Sequence, residues 1–170
     1  EANKYIVVGE EMQIIPTPGH THDHVSFYFP QQGILLAGDH VLSEITPNLS
    51  PDLFAPEFRP LRSYLDSLAL MEALPVTKVY PAHGRPFRNL QERIAAIYDH
   101  HLIRKRIACE SVHRGSKTAY VVSQDIFGTE LTEFDQFLAL NETYVHLLEL
   151  IGAGLIREER MAGQAFYIHL

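Results

Sequence analysis

At 170 residues the chain is long enough for one ordinary domain or two small ones. With 46% hydrophobic and 21% charged residues it is no disordered chain, and a formal charge of −7 disfavours nonspecific attraction to nucleic acid without excluding a local basic patch. No apolar run reaches the roughly 18 residues of a membrane span, no signal peptide is read at the start, and the single cysteine, Cys109, cannot close an internal disulfide, so a reducing cytoplasm is expected.

The first residues, EANKYIVVGEE, read as a strand, and MQIIPTPG as a second apolar run ended by Pro and Gly. HVSFYFP alternates, with Val25, Phe27 and Phe29 on one face and Ser26 and Tyr28 on the other. ILLAGD is a continuous apolar run, as expected of a strand buried on both faces. Pro47, Pro51, Pro56 and Pro60 punctuate an extended loop. Leu61 to Leu74 predicts a helix with Leu61, Leu65, Leu68 and Met71 on its apolar stripe, and VTKVYPAHG returns as a short strand.

Beyond Pro86 the pattern changes. A long helix is predicted from Leu90 to Val112, with Ile94, Ile97, Leu102 and Ile107 on its apolar side, and Cys109 is expected as a half-buried structural thiol. TAYVVSQDIFG reads as a short helix, Phe134 to Ile151 as a second long one, and LIREERMAGQAFYIHL as a hairpin turning at Met161 to Gly163. Helices followed by a hairpin describe a winged-helix domain. The boundary falls near Arg88, dividing residues 1–88 from 89–170.

Three polar residues sit directly after strands: His20 after QIIPTPG, Asp39 after ILLAG, and His83 after KVYPA. Strand ends of one sheet lie side by side, so ligands distant in sequence can meet on one edge. Two imidazoles and a carboxylate suit zinc, and a carboxylate can bridge two ions about 3.5–4 Å apart. The plain alternative is three capped turns.

The segments TPGHTHDH, LLAGDHVL and YPAHG, in this order, resemble the later motifs of the metallo-β-lactamase superfamily. GDHVL followed by ITPNLS, with the tail after Phe87, is similar to the branch of β-lactamase-like protein 2, which carries a winged-helix appendage. The resemblance implies an α+β fold: half of an αββα sandwich (1–88), followed by a winged-helix domain (89–170). It implies that His20 binds one Zn2+, that His83 binds a second, and that Asp39 bridges them as the catalytic carboxylate beside a metal-bound water. His22, Asp23, His24 and His40 then fall behind these ligands or on the substrate side. The superfamily's H-x-H-x-D-H run is absent; HTHDH is one residue short of it and runs straight into a strand. A hydrolase of thioesters, esters or RNA phosphodiesters is therefore expected in the intact protein, with this chain inactive alone. β-Lactams are disfavoured because Asp, not Cys or Ser, follows Gly38.

A half-sandwich would leave a sheet face bare, lined by Val25, Phe27, Phe29, Ile34 and Leu36, so a homodimer through that face is expected. The alternative function is a noncatalytic winged-helix module binding nucleic acid or protein. DNA is disfavoured: residues 91–170 carry eight Lys or Arg against eleven Asp or Glu, and Phe134 to Ile151 carries no cation. His100, His101, His113, His146 and His169 are expected as surface or packing residues, and Arg104–Arg106 as a solvated helix face.

Overall fold

The structure, a computed structural model, describes residues 3–7 and 9–170; Glu1, Ala2 and Val8 of the first predicted strand lie outside the described residues. The chain divides into two compact units, residues 1–47 with 62–98, and residues 48–61 with 99–170.

The first unit is built on a five-stranded sheet. Its strands are β1 (Asn3–Val7), β2 (Glu10–Pro16), β3 (Val25–Phe29), β4 (Ile34–Gly38) and β5 (Lys78–Pro81), in spatial order β1-β2-β3-β4-β5. Neighbours are antiparallel except β4 and β5, which run parallel with Leu35 opposite Val79. A parallel pair needs a crossover, and helix α1 (Pro60–Glu72) lies within it in sequence. Pro60 opens the helix, where a missing N–H costs nothing. Tyr28, Leu35, Ala37 and Val79 from the sheet and Tyr64, Leu68, Met71, Leu90, Ile94 and Ile97 from helices are buried and form this unit's core.

Two sequence expectations change here. Strand β4 is not buried on both faces: Leu35 and Ala37 are fully buried, whereas Leu36 is 38% exposed. The opposite face of β3 behaves alike, with Val25 also 38% exposed and Phe27 and Phe29 half-buried. An apolar run reports affinity for cover, not which faces this chain covers. On α1, Tyr64 occupies the buried stripe and Leu65 is only half-buried. Burial of Tyr64 is possible because its hydroxyl donates to the His40 carbonyl at 2.8 Å.

The second unit contains the later turns of α2 (Leu90–His113), then α3 (Ala119–Phe127), α4 (Glu133–Gly152) and the hairpin β6 (Ile156–Met161) to β7 (Gln164–His169). Thr118 and Thr132 cap α3 and α4 by accepting from the Val121 and Asp135 amides. The hairpin turns through Ala162 and Gly163, both at positive φ, as a two-residue turn of this hand requires. Lys117 pairs with Tyr167 through both backbone groups. Ala108, Val112, Val122, Ile126, Leu147, Leu150, Ile156 and Tyr167 form the core, and Cys109 packs half-buried against it.

The apolar side of α2 also departs from expectation. Leu102 is 61% exposed, and the buried positions after Ile97 are His101, Ala108, Ser111 and Val112. His101 and His146 of α4 are both buried; burial pushes His101 down to about 2 and lowers His146, so both imidazoles are neutral. Arg104 is no solvated residue: its guanidinium donates to the Ile126 carbonyl at 3.0 Å and lies 4.3 Å over the Phe127 ring. Among the described residues no helix is long and apolar enough to cross a membrane.

Candidate metal centre

The loop from Thr17 to His24 closes on itself. The Thr17 amide donates to the His24 carbonyl at 2.8 Å, and the Gly19 amide to the Thr21 carbonyl at 3.0 Å. Gly19 is buried at φ +152°, and a Cβ there would lie 2.6 Å from Tyr64 Cβ, so the loop rests directly on α1. Ser67 Oγ adds a bond to the Pro18 carbonyl at 2.9 Å. His20 is thereby presented from a braced corner.

Gly38 ends β4 at φ +57° and turns the chain so that Asp39 meets the same edge. The Ala82 amide donates to the Gly38 carbonyl at 2.8 Å, extending the parallel ladder by one rung and bringing His83 alongside. His83 Nδ1 lies 2.5 Å from Asp39 Oδ1, and His20 Nε2 lies 4.0 Å from Asp39 Oδ2. One imidazole thus faces each oxygen of a single carboxylate. Asp39 and His20 are partly buried, and His83 is largely exposed at 73% of its side chain.

His24 is committed elsewhere, and its partners fix its tautomer. The Asp39 amide donates to His24 Nε2 at 3.3 Å, so the ring proton sits on Nδ1, which donates to Thr17 Oγ1 at 2.8 Å. Thr17 then donates to Ser26 Oγ at 3.1 Å, and Ser26 to the Ala37 carbonyl at 3.3 Å. This closed relay ties the β2–β3 loop to the end of β4 and holds the Asp39 backbone. Burial, reinforced by His20, lowers His24 below its ordinary value and keeps it neutral as the relay demands. Both ring nitrogens are engaged, so His24 supports Asp39 and offers no lone pair to an ion. Thr17, Ser26 and Tyr64 were not singled out in the sequence; Thr17 alone carried a signal, as the first residue of TPGH.

His40 follows Asp39 but lies on the buried side, stacked against His24 with ring centroids 5.7 Å apart and edge-on to Tyr64 at 4.7 Å. Burial pushes it down to about 3, with His24 and His20 adding to the effect. Neither of its ring nitrogens has a hydrogen-bond partner among the described residues. His22 and Asp23 pair with each other at 2.9 Å on the exposed side of the loop.

Residues 2–83 match the family model of the metallo-beta-lactamase superfamily, a range that includes His20, Asp39 and His83. The chain belongs to that superfamily. Among solved structures, a beta-lactamase domain protein from Burkholderia ambifaria is similar over 100% of this chain and 51% of its own, with 30% identity and a TM-score of 0.94. The probable metallo-hydrolase YqjP of Bacillus subtilis (strain 168) is 30% identical over 143 residues, covering 81% of this chain and 44% of that protein. A beta-lactamase-like protein 2 homolog of Caenorhabditis elegans is 32% identical over 100 residues, 59% of this chain and 31% of that protein. An atrochrysone carboxyl ACP thioesterase of Aspergillus fumigatus is 28% identical over 94 residues, 55% of this chain and 20% of that protein. The chain therefore spans about half the length of these proteins, or less.

The three rim residues fit part of a two-metal centre. Their donors are those zinc takes, and the carboxylate has one oxygen toward each imidazole. They do not complete it: divided between two ions, three side chains leave each well short of four ligands.

Proposed function

We propose that this chain is the C-terminal part of a metal-dependent hydrolase of the metallo-beta-lactamase superfamily, acting on a thioester, ester or phosphodiester. The observation that carries it is the placement of His83 and His20 on opposite oxygens of Asp39 at one sheet edge. His20 would hold one Zn2+, His83 the other, and Asp39 both. When bound, two such ions acidify a shared water and polarise the substrate's carbonyl or phosphoryl oxygen. This chain's own contribution is positional: the His24–Thr17–Ser26 relay fixes Asp39, and Gly19 on Tyr64 fixes His20. The similarity to a protein named as a thioesterase favours thioesters, and the Asp after Gly38 agrees with that choice. The sequence boundary near Arg88 moves to Tyr98, and we assign residues 99–170 to a winged-helix domain on the strength of the later turns of α2, helices α3 and α4, a hairpin and the Lys117–Tyr167 pairing.

The isolated chain is expected to show no hydrolase activity, whereas the product of the whole gene, carrying an H-x-H-x-D-H run upstream of Glu1, turns over an acyl thioester. Thiol release from a thioester substrate by both proteins checks this. Turnover by the isolated chain, or no such run in the gene, would overturn the assignment.

The half-exposed face of β3 and β4 leads to a second expectation. Val25 and Leu36 are each 38% exposed on a sheet face that the described residues cover only in part. At roughly 25 cal/mol per Å2, hiding a few hundred Å2 is worth several kcal/mol. The isolated chain is expected to form a homodimer through this face, and Leu36→Lys to return it to monomer. Sedimentation velocity at micromolar concentration reads the outcome; a monodisperse monomer for the unaltered chain would exclude it.

A further inference from the structure

A second group of ligand-type side chains lies wholly within the helical unit and does not depend on the hydrolase assignment. His100 and His101 are consecutive on α2, and Glu142 and His146 stand one turn apart on one face of α4. One ligating atom from each of His100, His101 and Glu142 lies within 4.8 Å of those of the other two. His100 Nε2 is 3.2 Å from Glu142 Oε1, and the His100 and His101 rings meet edge to face with centroids 5.0 Å apart. We propose that His100, His101 and Glu142 form a second divalent-cation site, suited to zinc, that ties α2 to α4.

The hydrogen bonds around the cluster support this on independent grounds. The Glu142 carbonyl can only accept, so His146 Nδ1 donates to it at 2.7 Å and His146 Nε2 carries a lone pair. His101 Nδ1, 3.2 Å away, must then hold its proton and donate to that nitrogen. The consequence is that Nε2 of His101 bears the lone pair. Metal-ligating histidines typically donate their other ring N–H to an oriented acceptor, which fixes the tautomer and raises ligand basicity. His146 is that acceptor here, itself oriented by α4. His100 and Glu142 are partly exposed, with side-chain accessibilities of 30% and 16%, leaving an entry path. Two imidazoles and a carboxylate make a donor set zinc accepts.

Arg104 opposes the ion. It sits one turn beyond His100, with Nε 3.9 Å from Glu142 Oε1. Its guanidinium is already held by the Ile126 carbonyl and the Phe127 ring, which anchors it to α3 rather than over the carboxylate. Removing its charge should therefore strengthen cation binding, an effect no packing role for the cluster would produce.

The test is zinc binding by the full 170-residue chain, titrated against a chromophoric chelator, with circular dichroism checking each variant. Glu142→Gln and His100→Gln are expected to weaken zinc binding on the order of 100-fold. Asp39→Asn should leave this site unchanged, and Arg104→Gln should tighten it several-fold. Zinc held equally by Glu142→Gln, or lost only in Asp39→Asn, would overturn the proposal. Should Glu142→Gln fail to fold, X-ray absorption of the zinc-treated Asp39→Asn chain decides. Imidazole scattering around a bound ion supports the site, and no bound zinc rejects it. Because none of these readouts is hydrolysis, failure here leaves the rim assignment standing, and the reverse also holds.

Discussion

Asp39→Asn in the product of the whole gene is expected to lower kcat/KM for thioester hydrolysis on the order of 1,000-fold while leaving the fold intact. The two effects separate because Asp39 acts through different atoms. Its backbone amide donates to His24 Nε2, and that bond survives any side-chain change. Its carboxylate instead presents Oδ1 to His83 and Oδ2 to His20. Asparagine keeps one oxygen, replaces the other with a nonligating NH2, and removes the negative charge that would offset two cations in the proposed centre. Loss of one preorganised hydrogen-bond donor in other active sites already costs about 100- to 1,000-fold in kcat, and a shared ligand should cost no less. Stability should stay within roughly 0.5 kcal/mol of the unaltered protein, as for other partly exposed polar positions. His22→Ala is the matched control, since His22 lies on the exposed side of the same loop and pairs with Asp23; its kcat/KM should change no more than a few-fold. Steady-state kinetics with zinc content measured on the same samples would check both. Asp39→Asn activity within tenfold of the unaltered protein would remove Asp39 from the chemistry.

Much of this arrangement was legible in the residues because strands and metal-competent side chains follow simple rules. Glycine and proline at the ends of apolar runs marked the corners, and the polar residue after each corner named His20, Asp39 and His83. The structure brings the three to one edge. Other features were hidden for physical reasons. Hydrophobic periodicity treats His101 as a gap in the stripe of α2, yet its neutral imidazole is buried there with Nδ1 paired to His146. It promoted Leu102 in its place, which is exposed. A basic run reads as a solvated face unless the partner of each cation is known, and the partners of Arg104 lie on α3, about twenty residues away. The apolar run in β4 showed what the strand needs covered, not that Leu36 would lack cover here. The relay through His24 could not be read at all, since its direction depends on which atoms meet in space.

Gly19→Ala is expected to destabilise the first unit by about 2–6 kcal/mol. Two costs add. At φ +152° only glycine is comfortable, and forcing a side chain there costs roughly 1–3 kcal/mol. The added Cβ would also lie 2.6 Å from Tyr64 Cβ and 2.7 Å from Tyr64 Cα, and the latter is helix backbone that no rotamer change can move. Overpacking of this kind costs about 1–3 kcal/mol more. The loop and α1 must separate to relieve it, and their separation strains both the Ser67 bond to Pro18 and the burial of Tyr64. Since His20 follows directly, the rim should lose its geometry before the unit unfolds. Thermal and urea denaturation followed by circular dichroism would measure the loss. Gly152→Ala is the informative contrast: Gly152 lies at the end of α4 with open space where a Cβ would stand. That change should be neutral or stabilising by up to about 1 kcal/mol through lower unfolded-state entropy. If Gly19→Ala left the denaturation midpoint unmoved, the close seating of the loop on Tyr64 would be wrong, and with it the account of how His20 is held at the sheet edge.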